Sequence, residues 1–263
     1  MIELAISQLQ PMLAAAGWPF VRILAFLAVE PVLGNRSVPG RVKVALAVFL
    51  ALLVSPAIPI PKAIEPASAA GILILAQQFI IGAAMGFVAR ITVSAVEMAG
   101  QLSGLQIGLG FAVFFSPQGS GQTPIVAQFY GLIAILTLLA SNGHYVLLTA
   151  LVESFHTLPI EPKPLSAQGF PPLVSWGSEI FRTGLTMSMP VVGALLIANI
   201  ALGILARAAP QLNLFAVGFP VTLALGFLMF YLSLPLIVPM IETLEAESAA
   251  VILRVTEQLR PAP

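Results

Sequence analysis

The chain contains no cysteine and no aspartate, and its only histidines are His144 and His156. Without cysteine it can form no disulfide, no thiolate nucleophile and no cysteine metal site. Without aspartate it cannot complete a Ser-His-Asp triad, and the two histidines have no nearby partners at metal-ligand spacing. A phosphate-binding loop motif is also absent from the sequence. We therefore expect a protein that is not an enzyme and that has no metal site and no cofactor.

Charged residues are scarce as well. They make up 8% of the chain, whereas hydrophobic residues make up 59%, and the mean hydropathy is +1.01. Soluble domains carry about 25% charged residues, so the composition indicates a polytopic membrane protein surrounded by membrane lipid. The formal net charge of zero offers no basic surface for nucleic acid. The N-terminal stretch MIELAISQLQPM lacks the positively charged start and the cleavage site of a signal peptide.

Long apolar segments predict an all-α fold with six or seven helical passes. The segments span residues 11–33, 44–60, 69–115, 124–155, 184–206 and 212–241, and a charged tail follows at 242–260. Residues 69–115 would form a helix of roughly 70 Å, about twice the thickness of the bilayer core. We expect this segment to turn near residues 90–97, to tilt steeply or to project from the membrane. Basic residues in the first link (Arg36, Arg41 and Lys43) favour a cytoplasmic position for that link.

Proline and the sequence SNGH interrupt these segments. SNGH, at residues 141–144, should break the fourth segment. The prolines inside apolar sequence remove backbone donors and clash with the preceding turn, so the helices that carry them should bend or break. These prolines are Pro190, Pro220, Pro235 and Pro239.

Glycines at a spacing of four residues predict close helix packing. Gly82 and Gly86 form one such pair, and Gly100, Gly104 and Gly108 form a double one. This spacing places the glycines on one helix face, where a second helix can approach closely. The partner helix is either part of the same chain or part of another subunit.

A polar seam lies between the two glycine sets. It consists of Arg90, Ser94, Glu97 and Gln101, which would share one stripe of a helix. Charged groups at membrane depth are costly and usually face protein or water. Two interpretations are open: this segment is a turn at the headgroup level, or the helix continues and the stripe faces a partner or an aqueous path.

The stretch from Ser116 to Thr123 has no large apolar side chain and interrupts the apolar sequence with proline, glycine and glutamine. A loop at the membrane surface is one interpretation, and a movable plug in a pore is the other. A multipass secondary transporter of a small solute would favour corresponding broken helices in two repeated halves, which are not evident in the sequence.

Several motifs resemble the FliR family, the export-gate component of the bacterial flagellar type III secretion apparatus. They include NIALGILARAAPQLNLFAVGFP at 199–220, GLQIGLGFAVFFSPQGSGQTP at 104–124 and SNGHYVLLTALVESFHTLPI at 141–160. The sequence VPGRVKVALAVFLAL at 38–52 belongs to the same pattern, and RAAPQLN at 207–213 is its most specific element. The resemblance covers most of the chain, and the NGH and VGFP elements favour the flagellar over the injectisome branch.

The resemblance implies an architecture and a set of partners. Residues 1–165 would form an N-terminal helical part built like FliP, and residues 166–263 a C-terminal hairpin part built like FliQ. Together with FliP and FliQ the chain would line a conduit for unfolded flagellar subunits in the bacterial inner membrane, at the flagellar basal body. FlhB would surround the entrance and FlhA would form the cytoplasmic platform. Proton motive force and a separate ATPase would drive export.

In this family the loop between two central helices occupies the pore and helps to keep it shut. The resemblance therefore implies that the plug interpretation applies here. Ser116 stands where an acidic residue is often found in the family, and a serine cannot supply a charge-based latch. The corresponding residues are Phe111, Phe114, Phe115, Ser116, Pro117, Gln118, Gly119, Ser120, Gly121 and Gln122.

Two roles are open for the RAAPQLN turn. In the structural role, Pro210 ends a helix, Gln211 and Asn213 satisfy backbone groups, and Arg207 neutralises the helix C-terminus. In the functional role, Arg207 and Gln211 lie at the cytoplasmic entrance and contact FlhB or the exported chain.

Overall fold

A computed structural model of the chain describes residues 2–59, 64–109, 124–211 and 214–261, with side chains from residue 16 and, after the last gap, from residue 216. Within these ranges the backbone is helical apart from turns, and no strand occurs. This confirms the predicted all-α fold. The helices are α1 (Ile2–Val29), α2 (Gly40–Val54), α3 (Ala69–Ile107), α4 (Ile125–Ala140), α5 (Gly143–Thr157), α6 (Phe170–Trp176), α7 (Glu179–Ala208) and α8 (Leu214–Gln258), with short 3-10 turns at Ser55–Ala57 and Ala167–Gly169.

Four stretches of the described chain are long and apolar enough to cross a membrane, and α4 with α5 makes a fifth if that bent pair counts as one span. The four are Gly40–Ala57, Ala69–Ile107, Ala167–Ala208 and Ala216–Gln258. This number is below the six or seven passes that the apolar segments predicted. A shorter apolar helix, Ala16–Val29, adds to these. The chain is therefore a polytopic helical membrane protein.

The difference arises at α1, whose searched part, Ala16–Val29, is shorter than a span, and at α3, which stays one helix where a turn would have made two passes. Helix α3 runs without a turn through residues 90–97, so of the three alternatives for this segment the turn is wrong. Helix α8 joins the last apolar segment and the charged tail in one helix of 45 residues. At about 1.5 Å per residue, α3 is roughly 58 Å long and α8 roughly 68 Å. Both helices exceed the bilayer core of about 30 Å.

The internal prolines do not break their helices. Pro190 lies inside α7, and Pro220, Pro235 and Pro239 lie inside α8. Each proline removes one backbone donor. Where water is scarce, each unpaired backbone group costs several kcal/mol. A helix that continues through proline loses one hydrogen bond, whereas a break would leave the backbone groups of a whole turn unpaired and would cost more.

The SNGH sequence does break its segment, as predicted. Helix α4 ends at Ala140, and α5 begins at Gly143 with an angle of 69° between the two helices. Asn142 adopts a left-handed conformation with φ of 60°. Asparagine tolerates this conformation better than most residues with a side chain, and it therefore suits the junction.

Helix α3 ends in a Schellman motif. Gly108 has φ of 97°, its N–H donates to the Leu105 carbonyl at 3.1 Å, and the Leu109 N–H donates to the Gly104 carbonyl at 3.1 Å. These are the two hydrogen bonds that define the motif. Only glycine adopts this backbone conformation without strain, so Gly108 terminates the helix.

The chain divides into two compact units. The first unit comprises Met1–Ile91, Asn142–Gly177 and Glu245–Pro263, and the second comprises Thr92–Ser141 and Ser178–Leu244. Each unit thus takes residues from both the N-terminal and the C-terminal part of the chain. The boundary near residue 165, which rests on resemblance to two other proteins, stays a prediction.

Each unit has its own buried contacts. In the second unit, Tyr130 stacks on Phe230 with ring centroids 5.5 Å apart. In the first unit, the Trp176 indole N–H donates to the Val88 carbonyl at 3.1 Å. The core of the second unit includes Val93, Val96, Ala99, Tyr130, Ala134, Met187, Ile237 and Ile241.

Replacing Gly108 by alanine should lower the thermal unfolding midpoint of the protein in detergent. A side chain in the left-handed conformation costs about 1–2 kcal/mol per residue. Gly193→Ala is the matched control, because Gly193 lies inside α7 with open space where a Cβ would stand. That change should leave the midpoint unchanged or raise it. Equal midpoints for the two variants would contradict the proposed role of Gly108 in ending α3.

Candidate functional site

The plug loop lies outside the described residues. Every plug residue from Phe111 to Gln122 falls in the gap at 110–123, so that assignment stays a prediction. The two ends of the gap are described. Helix α3 ends at Ile107 with the Schellman motif, and α4 begins at Ile125 after Pro124, which has an extended φ and ψ of −53° and 133°. Defined helix ends therefore flank the loop.

Gly82 and Gly86 bring α3 against α1 within the first unit. A Cβ on Gly82 would overlap the carbonyl oxygen of Arg22, and a Cβ on Gly86 would lie 2.8 Å from the carbonyl oxygen of Phe26. Both obstacles are backbone atoms, which cannot move aside easily. The helix that these two glycines accommodate therefore belongs to the same chain.

Gly100 and Gly104 likewise allow α3 and α4 to pack closely in the second unit. A Cβ on Gly100 would lie 2.7 Å from the Cα of Ala127, and a Cβ on Gly104 would lie 3.3 Å from the Val126 side chain. Gly108 differs from them. A Cβ there would lie 3.6 Å from the Phe219 ring, an ordinary contact, so its conformation rather than close packing requires glycine.

The polar seam lies on continuous helix, which excludes the interpretation as a turn. Arg90, Ser94 and Glu97 are half-buried and Gln101 is exposed. Arg90 belongs to the first unit and the other three residues to the second. Glu97 packs against α4, because a Cβ on Gly131 would lie 2.9 Å from the Glu97 Oε1 atom. Gly131 was missed by the sequence patterns, since it is a single glycine without a repeat.

The RAAPQLN turn begins as its sequence suggests. Helix α7 ends at Ala208, and the N–H of Ala209 caps it by donating to the Leu205 carbonyl at 2.8 Å. Arg207 lies in the last turn, and Arg207, Pro210 and Gln211 are exposed. Asn213 falls outside the described residues. Exposure of Arg207 is compatible with both roles, and the choice between them stays open.

A buried arginine is the main feature that sequence reasoning missed. Arg22 is 0% exposed. Its Nε donates to Gln78 Oε1 at 2.8 Å, its Nη1 to the carbonyl and the hydroxyl oxygen of Ser154 at 2.7 and 3.0 Å, and its Nη2 to the Leu158 carbonyl at 2.9 Å. The Phe155 ring centroid lies 4.2 Å from its Cζ. An arginine inside an apolar segment was the available signal, but nothing in the sequence identified its partners.

The electrostatic partner of Arg22 is the end of a helix. The carbonyls of Ser154 and Leu158 lie at the C-terminus of α5, where the helix dipole leaves partial negative charge. The Ser154 carbonyl also accepts the capping hydrogen bond from the Leu158 N–H at 2.9 Å. Arginine can only donate hydrogen bonds, from five N–H groups in a fixed plane. The guanidinium therefore fits a set of neutral acceptors, and neither ion pair among the described residues includes it.

Glu30 makes a similar local cap after α1. Its carboxylate accepts hydrogen bonds from the backbone N–H groups of Val32 and Leu33. Burial raises the pKa of the Glu30 carboxyl, while these hydrogen bonds and the charge of Lys43 act in the opposite direction. The carboxyl thus holds the link between α1 and α2 in a turn.

The second unit exposes apolar side chains along α7 and α8. Ile197, Ile200 and Ile204 recur at helical spacing on α7, and Phe227 and Tyr231 are exposed on α8. Lipid or other membrane helices must cover such surfaces, since large apolar areas are unfavourable in water. In the part of the chain that the structure describes, no cluster of three His or Glu side chains could hold a metal ion.

Comparison with known proteins identifies the relatives of the chain. A family model described as bacterial export proteins, family 1, matches residues 13–247. Flagellar biosynthetic protein FliR of Pectobacterium carotovorum subsp. carotovorum is 43% identical over 230 residues, which cover 88% of each chain. The protein of the same name in Escherichia coli K12 is 40% identical over 88% of each chain. That of Bacillus subtilis 168 is 32% identical over 83% of this chain and 85% of the relative.

A graded series of glycine variants should report the close packing in the second unit. Gly100→Ala should be strongly destabilising because its Cβ meets backbone, and Gly104→Ala should be milder because the Val126 side chain can shift. Gly203→Ala, with open space at its Cβ, is the control. The yield of monodisperse protein and its thermal midpoint should be highest for Gly203→Ala, lower for Gly104→Ala and lowest for Gly100→Ala. The reverse order would exclude this account.

Arg22→Met should destabilise the first unit by roughly 3 kcal/mol or more, because several buried acceptors would each lose a donor at about 1–3 kcal/mol. Ser154→Ala is the control. It removes one hydroxyl but keeps both carbonyl contacts, and should cost about 1 kcal/mol. Arg22→Lys should rescue only in part, since an ammonium cannot reproduce the planar fork. The thermal midpoint in detergent measures all three changes, and an Arg22→Met protein as stable as Ser154→Ala would refute the assignment.

Proposed function

The chain belongs to the FliR family of bacterial export proteins, and we propose that it is a component of the flagellar type III export gate. In this role it forms, with FliP and FliQ, the conduit through which unfolded flagellar subunits cross the bacterial inner membrane. The observation that carries the proposal is the family match over residues 13–247, which includes nearly all of the described helices. A match of this extent covers most of the helices of the chain and is not limited to one short motif.

The shape of the helices supports a place in an assembly. Helices α3 and α8 are longer than a bilayer core requires, and α7 and α8 carry exposed apolar side chains. Partner helices that continue outside the hydrocarbon region would cover this surface there. FliP and FliQ are the partners that we propose for these faces.

The exposed turn after α7 is the part that we propose for the entrance. Arg207 and Gln211 are both accessible there, so they can contact FlhB or the exported chain. FlhA would form the platform below them. Of the polar seam (Arg90, Ser94, Glu97 and Gln101), Glu97 packs against α4, and we propose that the exposed Gln101 faces a partner or an aqueous path. The chain itself would perform no catalysis, and energy would come from proton motive force and a separate ATPase.

The loop between α3 and α4 is the proposed plug. The described ends of these helices are well defined, so the loop is held at both sides. Phe111, Phe114 and Phe115 would supply the bulk that closes the pore. Gly119 and Gly121 would lower the cost of rearranging the backbone when it opens.

Assembly is the direct test of the proposed function. A tagged copy of the chain, expressed with the export-gate membrane proteins of the same bacterium, should co-purify with FliP and FliQ in a defined complex. Disruption of its gene should abolish secretion of flagellar subunits and swimming, and the wild-type gene should restore both. Purification only as a monomer or homodimer, together with stabilisation by a small solute and normal swimming of the disrupted strain, would favour a secondary transporter instead.

Deletion of residues 118–121 should open a leak without disturbing the helices. The deletion shortens the segment but leaves Gly108 and Pro124, which stand at the described ends of α3 and α4. Ion leakage through vesicles that contain the assembled complex should rise well above that of an equal amount of wild-type complex. Replacement of the same four residues by Gly-Ser-Gly-Ser is the control, because it preserves length and should preserve the seal. Unchanged leakage from an intact complex carrying the deletion would return the segment to an ordinary surface loop.

A further inference from the structure

A cavity of about 430 Å³ lies in the first unit. Its walls come from the start of α3, from the segment that follows α5 and from the end of the chain after α8. The volume falls in the range of about 300–1,000 Å³ that is typical of small-molecule sites. The polar residues that line it are Gln77, Gln78, Glu161, Lys163 and Arg260.

The inner wall presents hydrogen-bond donors. Gln78 is 1% exposed, and its Oε1 accepts a hydrogen bond from Arg22 Nε at 2.8 Å. Because an arginine can only donate, the orientation of the amide is determined: the oxygen faces Arg22, and the NH₂ group is the part of Gln78 that remains for the cavity. A side chain that could either donate or accept is thus held as a donor.

The charge of Arg22 reinforces this wall. The described partners of its guanidinium are an amide, a hydroxyl, two carbonyls and an aromatic ring, and none of them carries a full negative charge. In a buried site this charge is screened much less than at the surface. A positive potential therefore extends through Gln78 into the cavity.

The outer wall adds two cations. Lys163 and Arg260 line the cavity, and Glu161 pairs with Lys163 at 3.0 Å, so the charged lining carries one net positive charge. Gln77 is also buried, and its Nε2 donates to the Lys163 carbonyl. This hydrogen bond holds the segment after α5 in position, so the cavity is formed before a ligand enters.

We propose that this cavity binds an anionic phosphate group, supplied by the headgroup of an anionic phospholipid or by free phosphate. Donors at the inner wall, the cations Lys163 and Arg260 at the outer wall and the positive potential of Arg22 suit a ligand with several acceptor oxygens. Basic pockets between membrane helices bind anionic headgroups by the same chemistry. The chain lies in a membrane, which brings phospholipid within reach of such a pocket.

The test measures binding to the purified full-length chain in detergent. Native mass spectrometry counts retained dioleoyl phosphatidylglycerol and dioleoyl phosphatidylcholine, and a separate titration uses inorganic phosphate alone. The wild type should retain phosphatidylglycerol at least tenfold better than phosphatidylcholine, or should bind phosphate with saturation. Competition between phosphate and phosphatidylglycerol would assign one shared site. Binding of only one of the two would identify the source.

Gln78→Glu is the sharpest variant. The carboxylate can still accept the hydrogen bond from Arg22, so the fold should keep its thermal midpoint, but the donors are lost and a negative charge is added. The retention of phosphatidylglycerol by this variant should fall at least tenfold. Arg260→Gln changes an exposed side chain that lines the cavity, and it should reduce the retention of phosphatidylglycerol severalfold. Arg254→Gln is the matched control, because it makes the same change of charge on an exposed residue outside the cavity, and it should have no effect.

Three results would overturn the proposal. One is the failure of the wild type to retain phosphatidylglycerol and to bind phosphate at millimolar concentration. Another is equal retention of phosphatidylglycerol and phosphatidylcholine without phosphate binding. The third is retention of phosphatidylglycerol by Gln78→Glu at the wild-type level, or a loss of retention in Arg254→Gln as large as that in Arg260→Gln. Arg260→Gln keeps the test decisive if Gln78→Glu folds poorly.

Discussion

A fully buried guanidinium requires hydrogen-bond acceptors around its whole plane, and the first unit is built around that requirement. Arg22 on α1 joins Gln78 on α3 to the C-terminus of α5. The acceptors are neutral, so the site depends on the helix dipole and on several good hydrogen bonds rather than on an ion pair. Because an unmet donor or acceptor in such a place is expensive, these hydrogen bonds favour the observed packing of α1, α3 and α5. The same charge gives the neighbouring cavity its preference for anions.

Close approach of backbones is the second constraint, and it applies in each unit. Gly82 and Gly86 admit α1 to the surface of α3, and Gly100 and Gly104 admit α4. Between membrane helices the hydrophobic effect contributes little, so association depends on van der Waals contact and on polar groups. Small residues increase that contact by allowing the helices to come together. Glu97 adds a polar group that packs against Gly131 in the second unit.

The proposed export function fits these features. Internal glycines and the Arg22 cluster hold each unit together from within, which leaves the exposed apolar faces of α7 and α8 for lipid and for partners. The loop between α3 and α4 is fixed at both ends by a Schellman motif and a proline. Defined helix ends on both sides are suitable for a plug that must move while its frame does not.

The sequence by itself determined the features that depend on local composition and periodicity. Scarce charge indicated a membrane protein, apolar segments predicted helices, SNGH predicted the break between α4 and α5, and the motifs identified the family. The glycine spacing identified four of the positions where helices meet, but Gly108 ends α3 instead. Each of these signals is contained within a few neighbouring residues, and that is why the sequence was sufficient.

Only the tertiary structure decided which distant residues meet. The sequence left open whether the segment 69–115 turns near residues 90–97, tilts or projects from the membrane, and α3 is continuous there. The choice was open because helix length beyond the bilayer depends on what surrounds the helix. The partners of Arg22 lie from 56 to 136 residues away along the chain. No local pattern marks a serine carbonyl or a glutamine amide as the acceptor of a particular arginine. Such contacts arise only when three helices are packed together, because the cost of leaving a buried charge without acceptors then excludes the alternatives.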